Sequence, residues 1–250
     1  MNDTARTSKG TGLPPVVSHE KWQLASEKLR EEEKSLTRRL DALVAKRRRL
    51  PMVEVEKSYR FTGPSGSASL LDIFEGRSQL VVYHFMFHPD WDEGCEGCSW
   101  FVDGFAHPAH IESRDVSFAL VSRAPYSKLA AYQERMGWTA PWYSSHGSDF
   151  NHDFHATVGD SEHHSLSVFL RDGERIFHTY QTFARGVENL GTAFSLLDLV
   201  PYGRQEKWQD SPEGWPQGDP YVWWRRHDSY GDLPAPSVVG RHGARQAAAD

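Results

Sequence analysis

A three-layer α/β sandwich around a mixed sheet is the fold class that this sequence predicts. Three observations carry it. β-prone runs alternate with helix-patterned runs between residues 52 and 200. The run Gln79–Phe87 (QLVVYHFMF) is nearly continuous in apolar and aromatic residues, as in a central strand covered on both faces. Near the end of the stretch, Asp172-Gly173 separates two strand-like runs, Ser165–Leu170 and Arg175–Tyr180, as a hairpin turn.

The elements follow in order. Residues 1–17 read as a polar tail. Ser18, ahead of Glu20 and Trp22, starts a helix that no Gly or Pro interrupts until Pro51, so residues 18–51 form one helical segment. Trp22, Leu29, Leu36, Leu43 and Leu50 recur every seventh residue, but only Leu40 fills a companion position; Ser26, Glu33 and Arg47 hold the others. A two-stranded coiled coil needs both seams apolar. The narrow stripe predicts a long helix on a domain surface, or weak self-association. Lys46–Arg49 complement the dipole at its C-terminus, and Pro51 stops it. Tyr59–Phe61 is a short strand before the turn Gly63–Gly66, and Ser69–Phe74 a helical turn. After the Gln79–Phe87 strand comes an acidic loop, then a helix over Ser99–Ala109. Asp115–Ser122 is the second strand. Ser127–Met136 is an amphipathic helix with Ser127 as cap and Gly137 as stop. The hairpin follows, and Val187–Leu199 closes the domain as a helix. Residues 201–235 hold Trp208, Trp215, Trp223 and Trp224 among Pro, Gly and charge, which suits an aromatic extension packed on the domain. Residues 236–250 have the composition of a disordered tail.

Composition narrows the function. The chain has 250 residues, 38% of them hydrophobic, and a net charge of −6. That charge argues against a general nucleic-acid binder. No stretch approaches the roughly 18–20 apolar residues of a spanning helix, and no apolar run marks a secretion signal. A cytoplasmic location and no membrane partner are expected, and no cofactor is called for. Only two cysteines occur, Cys95 and Cys98. Two thiols build neither a disulfide scaffold nor a four-thiolate metal site. Redox chemistry, a mixed metal site or an inert pair remain.

Their context favours redox. Strand, loop, C-x-x-C, helix is the setting that gives the motif meaning. The first sulfur then lies near unpaired backbone N–H groups and the positive end of the helix dipole, both of which favour thiolate. The second lies one turn deeper, placed to attack a mixed disulfide. Cys95 is the expected nucleophile and Cys98 the resolving thiol. Asp90, Asp92, Glu93 and Glu96 crowd them, and such charges oppose thiolate formation.

Tyr83-His84-Phe85-Met86-Phe87, Pro89-Asp90-Trp91-Asp92-Glu93-Gly94-Cys95 and Cys98-Ser99 resemble the bacterial thioredoxin-like family catalogued as domain of unknown function 899. Val121-Ser122-Arg123-Ala124-Pro125, Met136-Gly137-Trp138, Pro141-Trp142 and Ser148-Asp149-Phe150-Asn151 agree with it. So do Arg171-Asp172-Gly173, His178-Thr179-Tyr180, Ala184-Arg185-Gly186 and Arg226-His227-Asp228. The likeness covers roughly residues 18–230. It implies a thioredoxin-like fold over residues 52–200 and a dithiol–disulfide oxidoreductase, and it names no substrate. One departure stands out. Thioredoxins place a cis-proline before the strand that faces the cysteines, whereas no proline lies near Ser165. The corresponding loop is expected to be trans, nearer to peroxiredoxin-like relatives.

Other side chains are candidates for support. Among 13 histidines, His84 and His88 flank the strand end before the cysteines; His84 is the first candidate proton acceptor, with an outward or core-satisfied role as the equal alternative. Cys95, Cys98, His107 and His110 have the ligand types for zinc, with shorter spacing than in zinc fingers. Arg123, at the C-terminal end of the second strand, would hold an anionic substrate or steady a thiolate; a salt bridge to the acidic loop is the plainer alternative. Trp91 would cover the disulfide and present an apolar docking surface, or simply pack. The expected partners are a thiol or disulfide substrate and a cellular thiol reductant, with a peroxidatic variant beside them. The alternative is a non-catalytic thioredoxin-like scaffold, a homo-oligomer through the leucine stripe, with a Cys/His zinc site or inert cysteines.

Overall fold

A computed structural model describes residues 13–105 and 107–232. The expected disordered segment 236–250 and most of the N-terminal tail lie outside them. Helix α1 spans His19–Arg47, and the Ser18 hydroxyl accepts the Lys21 N–H at 3.4 Å as its cap. It buries no residue.

The chain continues through β1 (Val53–Glu54), β2 (Arg60–Gly63), β3 (Gly66–Ser69), α2 (Leu70–Ile73) and β4 (Gln79–His84). Next come α3 (Glu96–Asp103), α4 (Ala109–Glu112), β5 (Val116–Ser122), α5 (Tyr126–Met136) and β6 (Trp142–Ser144). Then follow α6 (Phe150–Asp153), β7 (Thr157–Val158), β8 (Ser161–Glu162), β9 (Ser165–Asp172) and β10 (Arg175–Phe183). Short helices α7 (Arg185–Glu188) and α8 (Thr192–Leu197) and a 3₁₀ turn over His227–Asp232 end it.

The large sheet runs β1-β10-β9-β4-β5-β6-β2-β3. Its centre decides the fold. β4 and β5 pair in parallel, with α3 in the connection, while β9 pairs antiparallel with β4 and β10 antiparallel with β9. A parallel β-α-β unit whose first strand also pairs with an antiparallel hairpin is the thioredoxin-like arrangement. Two cores fill the faces of this mixed sheet. One gathers Tyr83, Phe85, Phe87, Cys98, Phe101, Leu129, Tyr132, Trp142 and Val187 beneath α3, α5 and α7. The other gathers Phe61, Ile73, Phe74, Leu80, Val82, Phe150, Phe154 and Phe169 beneath α2 and α6. Helices on both faces make the three layers.

Several boundaries move. The helix expected over Ser99–Ala109 begins at Glu96, because Cys95 serves as its N-cap, and ends at Gly104. α5 begins at Tyr126 with Pro125 ahead of it, so Ser127 sits inside the first turn rather than capping it. Val187–Leu199 is two short helices, not one, with Gly191 between them. Trp142–Ser144, unforeseen, extends the sheet in parallel beside β5.

By compactness the chain forms two units, and their limits differ from the expected 52–200 domain. One unit holds residues 45–195 and 224–230, and carries the sheet. The other holds, among the described residues, 13–44, 196–223 and 231–232. In it the buried Glu206 carboxylate accepts the indole N–H groups of Trp208 (2.5 Å) and Trp223 (2.7 Å) and the Tyr221 N–H (2.8 Å). Those bonds account for a charge otherwise costly to bury.

Candidate active site

The site grows from the end of β4. Phe85 to Phe87 continue the strand's direction: the Phe85 N–H reaches Val121 O and the Ala124 N–H reaches Phe87 O, each at 2.9 Å. The loop then returns, and the Cys95 N–H donates to Met86 O at 3.0 Å. This bond sets the start of α3 beside the strand. Gly94 is needed there, since a Cβ would lie 2.6 Å from the Phe85 ring. Gly97 is needed too, because a Cβ would meet the Trp224 indole at 2.9 Å. Both glycines flanking Cys95 therefore answer to aromatic rings pressed on the loop.

Cys95 is part-exposed and Cys98 buried, both as free thiols. The Cys95 Sγ, at the N-cap, accepts the Cys98 N–H at 3.5 Å. A hydrogen bond from the Cys98 thiol lowers the Cys95 pKa to about 7. Burial opposes this, the Cys98 and Gly97 N–H groups add to it, and the Glu96 charge works against it. Burial holds the Cys98 thiol well above its ordinary value, and the bond it donates to Cys95 reinforces that. Cys98 Sγ also accepts the Met86 N–H at 3.5 Å and a hydrogen bond from the buried Tyr83 hydroxyl. The surroundings thus favour ionisation at Cys95 and oppose it at Cys98.

Around the loop runs a polar chain. Ser99 Oγ donates to Cys95 O at 2.8 Å and lies 2.9 Å from the Tyr132 hydroxyl. Arg226 Nε donates to that hydroxyl at 2.8 Å. The other guanidinium nitrogens of Arg226 reach Gly94 O (2.8 Å), Glu96 (3.2 Å) and Glu93 (3.0 Å). The family whose description is "Bacterial protein of unknown function (DUF899)" matches residues 11–230, a span that includes every residue of this site.

The chain belongs to the DUF899 family.

Among solved structures, this DUF899 chain is similar to a mitochondrial 2-Cys peroxiredoxin from Plasmodium falciparum: 15% identity, TM-score 0.39, covering 59% of this chain and 92% of that one. It is also similar to a putative protein disulfide isomerase from Bacteroides thetaiotaomicron, at 15% identity and TM-score 0.38, covering 60% and 93%. A peroxidoxin from Mycobacterium tuberculosis gives 14% identity and TM-score 0.38, covering 52% and 86%. No curated protein sequence matches the chain. The strand order, rather than these likenesses, identifies the fold.

The other candidate residues of this DUF899 member are placed as follows. His84 is a correction. Side chains alternate along a strand, so Tyr83 faces Cys98 and His84 faces away, stacked on Phe150 at 5.4 Å between centroids. Its Nε2 pairs with Ser167 Oγ at 2.8 Å, and burial drives its pKa down to about 3, the neighbouring His178 adding to the shift. A neutral, enclosed imidazole on the far face is no proton acceptor for Cys95. Arg123 pairs with Glu162 (2.6 Å) and Asp160 (3.2 Å), so its partners lie on the β7–β8 hairpin and not in the acidic loop. His88 joins them through Asp160 at 3.0 Å. Trp91 stays on the loop, part-exposed, its carbonyl held by Lys128 at 2.9 Å. Among the described residues no three His, Cys, Asp or Glu side chains gather as a metal site, so Cys95, Cys98, His107 and His110 do not come together. No cis peptide occurs among the described residues, which agrees with the trans loop expected before Ser165. No described helix is long and apolar enough to cross a membrane.

Tyr83, Tyr132, Trp224 and Arg226 carried no site signal in the sequence analysis. Tyr83 was one step from His84, and only the strand's alternation separates them. Arg226 stood in the motif Arg226-His227-Asp228 without a role, being 130 residues from Glu96.

Proposed function

We propose that this protein is a thiol–disulfide oxidoreductase with Cys95 as nucleophile and Cys98 as resolving thiol. The observation that carries the reading is the asymmetry of the pair: a part-exposed N-cap thiol lowered to about 7 beside a buried, protonated one. About half of Cys95 is then thiolate at neutral pH, against a few per cent for an ordinary cysteine.

The Cys95 thiolate attacks one sulfur of a substrate disulfide. The S–S bond breaks, Cys95 joins one half, and the other half leaves as a thiolate that takes up a proton. Forming the mixed disulfide removes the Cys95 charge, one of the influences that held the Cys98 proton. Cys98 then loses its proton and attacks Cys95 Sγ. The second half leaves as thiol, and a Cys95–Cys98 disulfide remains for a thiol reductant of the cell to reopen. Where the substrate is a peroxide, the Cys95 thiolate attacks one peroxide oxygen, the O–O bond breaks, the other oxygen takes up a proton and leaves as an alcohol or water, and Cys95 becomes a sulfenic acid; Cys98 then condenses with it, releasing a further water.

Two assays separate these substrates. Reduced protein is incubated with a glutathione disulfide, or with hydrogen peroxide and a thiol reductant, then quenched and mapped by mass spectrometry. Formation of a Cys95–Cys98 disulfide is expected, and Cys98→Ser should stall as a mixed disulfide or sulfenic acid on Cys95. If neither oxidant links the two sulfurs, the oxidoreductase reading fails.

A further inference from the structure

We infer that Arg226 is a positioning residue for Cys95: reaching in from the C-terminal segment, its guanidinium clamps the cysteine loop and offsets the carboxylates beside it. The inference rests on the reading of Cys95 as nucleophile.

The geometry is that of a clamp. A guanidinium offers five N–H donors in a fixed fork and accepts nothing. Here the fork ends on four groups of the cysteine site: Gly94 O, Glu96, Glu93 and the Tyr132 hydroxyl. Because Arg226 can only donate, the Tyr132 oxygen accepts from it, and the Tyr132 O–H is free to point at Ser99 Oγ. The Ser99 O–H then points at Cys95 O, which is the direction the structure shows. One side chain therefore grips the carbonyl before Cys95 directly and the Cys95 carbonyl through two hydroxyls.

Neighbours hold Arg226 in turn. The Trp224 ring lies on Gly97. Asp228 Oδ2 accepts Arg135 Nε at 2.8 Å, and Arg135 also bonds Glu93. His227 Nδ1 meets Asp103 at 2.8 Å. The Arg226 side chain is only 14% exposed, so its charge is less screened than in a surface pair. The sequence predicts that the acidic loop opposes the thiolate, and Glu96 does so. Arg226 sits against the two carboxylates nearest in sequence to Cys95 and supplies the countercharge.

The test follows the rate of iodoacetamide alkylation at Cys95, read by mass spectrometry in the full chain, from about pH 5 to about pH 10. For Arg226→Gln the midpoint should move up by about one pH unit, which slows alkylation at neutral pH about five-fold. Arg226→Lys, which keeps charge but loses the fork, should fall between. Adding Glu93→Gln and Glu96→Gln to Arg226→Gln should bring the midpoint back toward wild type. A purely structural role would lower stability, seen by circular dichroism, without that charge-dependent return. If Arg226→Gln does not fold, Arg226→Lys carries the test. Midpoints that coincide with wild type, in a wild-type protein that does cycle its thiols, overturn this inference alone. A wild-type Cys95 that neither cycles nor alkylates faster than an ordinary thiol overturns the oxidoreductase reading first.

Discussion

The two faces of β4 handle buried polar groups in opposite ways. On the cysteine face the polar atoms form a connected set. Tyr83 and the Met86 N–H meet Cys98, and Ser99, Tyr132 and Arg226 link Cys95 O to the part-exposed loop carboxylates. On the other face, His84 Nδ1, Ser165 Oγ and His178 Nε2 are buried without a hydrogen-bond partner. His84 and Ser165 stand directly opposite one another in the ladder. Burial lowers the pKa of both His84 and His178. The difference teaches where ionisation is usable. A thiolate at a helix N-cap has N–H donors waiting for its charge, whereas an imidazolium stacked on phenyl rings would meet burial and a second histidine with no negative group to balance it. On the proposed function, reactivity belongs to the first face and acid sensitivity to the second.

The sharpest way to break this contrast is a pair of substitutions. Cys95→Ser should abolish dithiol–disulfide cycling altogether, measured by thiol titration after oxidation, while leaving the urea midpoint nearly unchanged. His84→Phe should do the reverse, keeping the cycling rate within about two-fold while altering stability in acid. The sign follows from the two states. An unfolded histidine titrates near its ordinary value of 6.5, but folded His84 only at about 3. Above 6.5 both states are neutral and nothing is lost. Between 6.5 and about 3 the unfolded chain alone binds the proton, so stability falls as pH falls, by about 1.4 kcal/mol per pH unit. Urea midpoints against pH should show that slope flattened in His84→Phe. A slope identical to wild type would mean that His84 is not the group enclosed.

Next in size is Gly97→Val. Its side chain would force the Trp224 ring away from the loop, at a cost of about 1–3 kcal/mol. Alkylation of Cys95 should slow as well, because Arg226 follows in the same segment. Smaller is Tyr83→Phe, which removes the hydrogen bond that favours Cys98 ionisation. Release of a trapped mixed disulfide should slow several-fold while its formation does not. If both steps change equally, Tyr83 acts through packing alone. Smallest is Arg175→Gln, which breaks a pair with Glu54 on an exposed edge. Solvent screens such an exposed pair, so this variant should match wild type in both assays and serve as the reference.

Much of the architecture was legible in the chain. Gln79–Phe87 announced the central strand because only a doubly covered strand is apolar throughout. Asp172-Gly173 announced the hairpin; Gly173 does take the positive φ the turn requires. Helix limits were less legible: Cys95 is an unusual cap, and a short helix such as α7 is held by its packing rather than by its own pattern. Trp142–Ser144 is too short to signal itself and exists because β5 offers it an edge. At the site, the two cysteines and their place at the start of a helix were plain. The choice between a proton-acceptor and a core role for His84 stayed open because proximity in sequence to a strand end says nothing about which face a side chain takes until the register is known.

The sequence by itself determined the thiols, their place between a strand and a helix, and the acidic loop around them. These are local facts, set by residue type and spacing. Tertiary structure decided what those carboxylates do. Arg226, 130 residues away from Glu96, meets the loop only because the folded chain brings it beside Tyr132 of α5. Its charge then acts over about 3 Å, where Coulomb interactions are strongest. No spacing rule along the chain could have paired them, because the energy that joins them depends on distance in space.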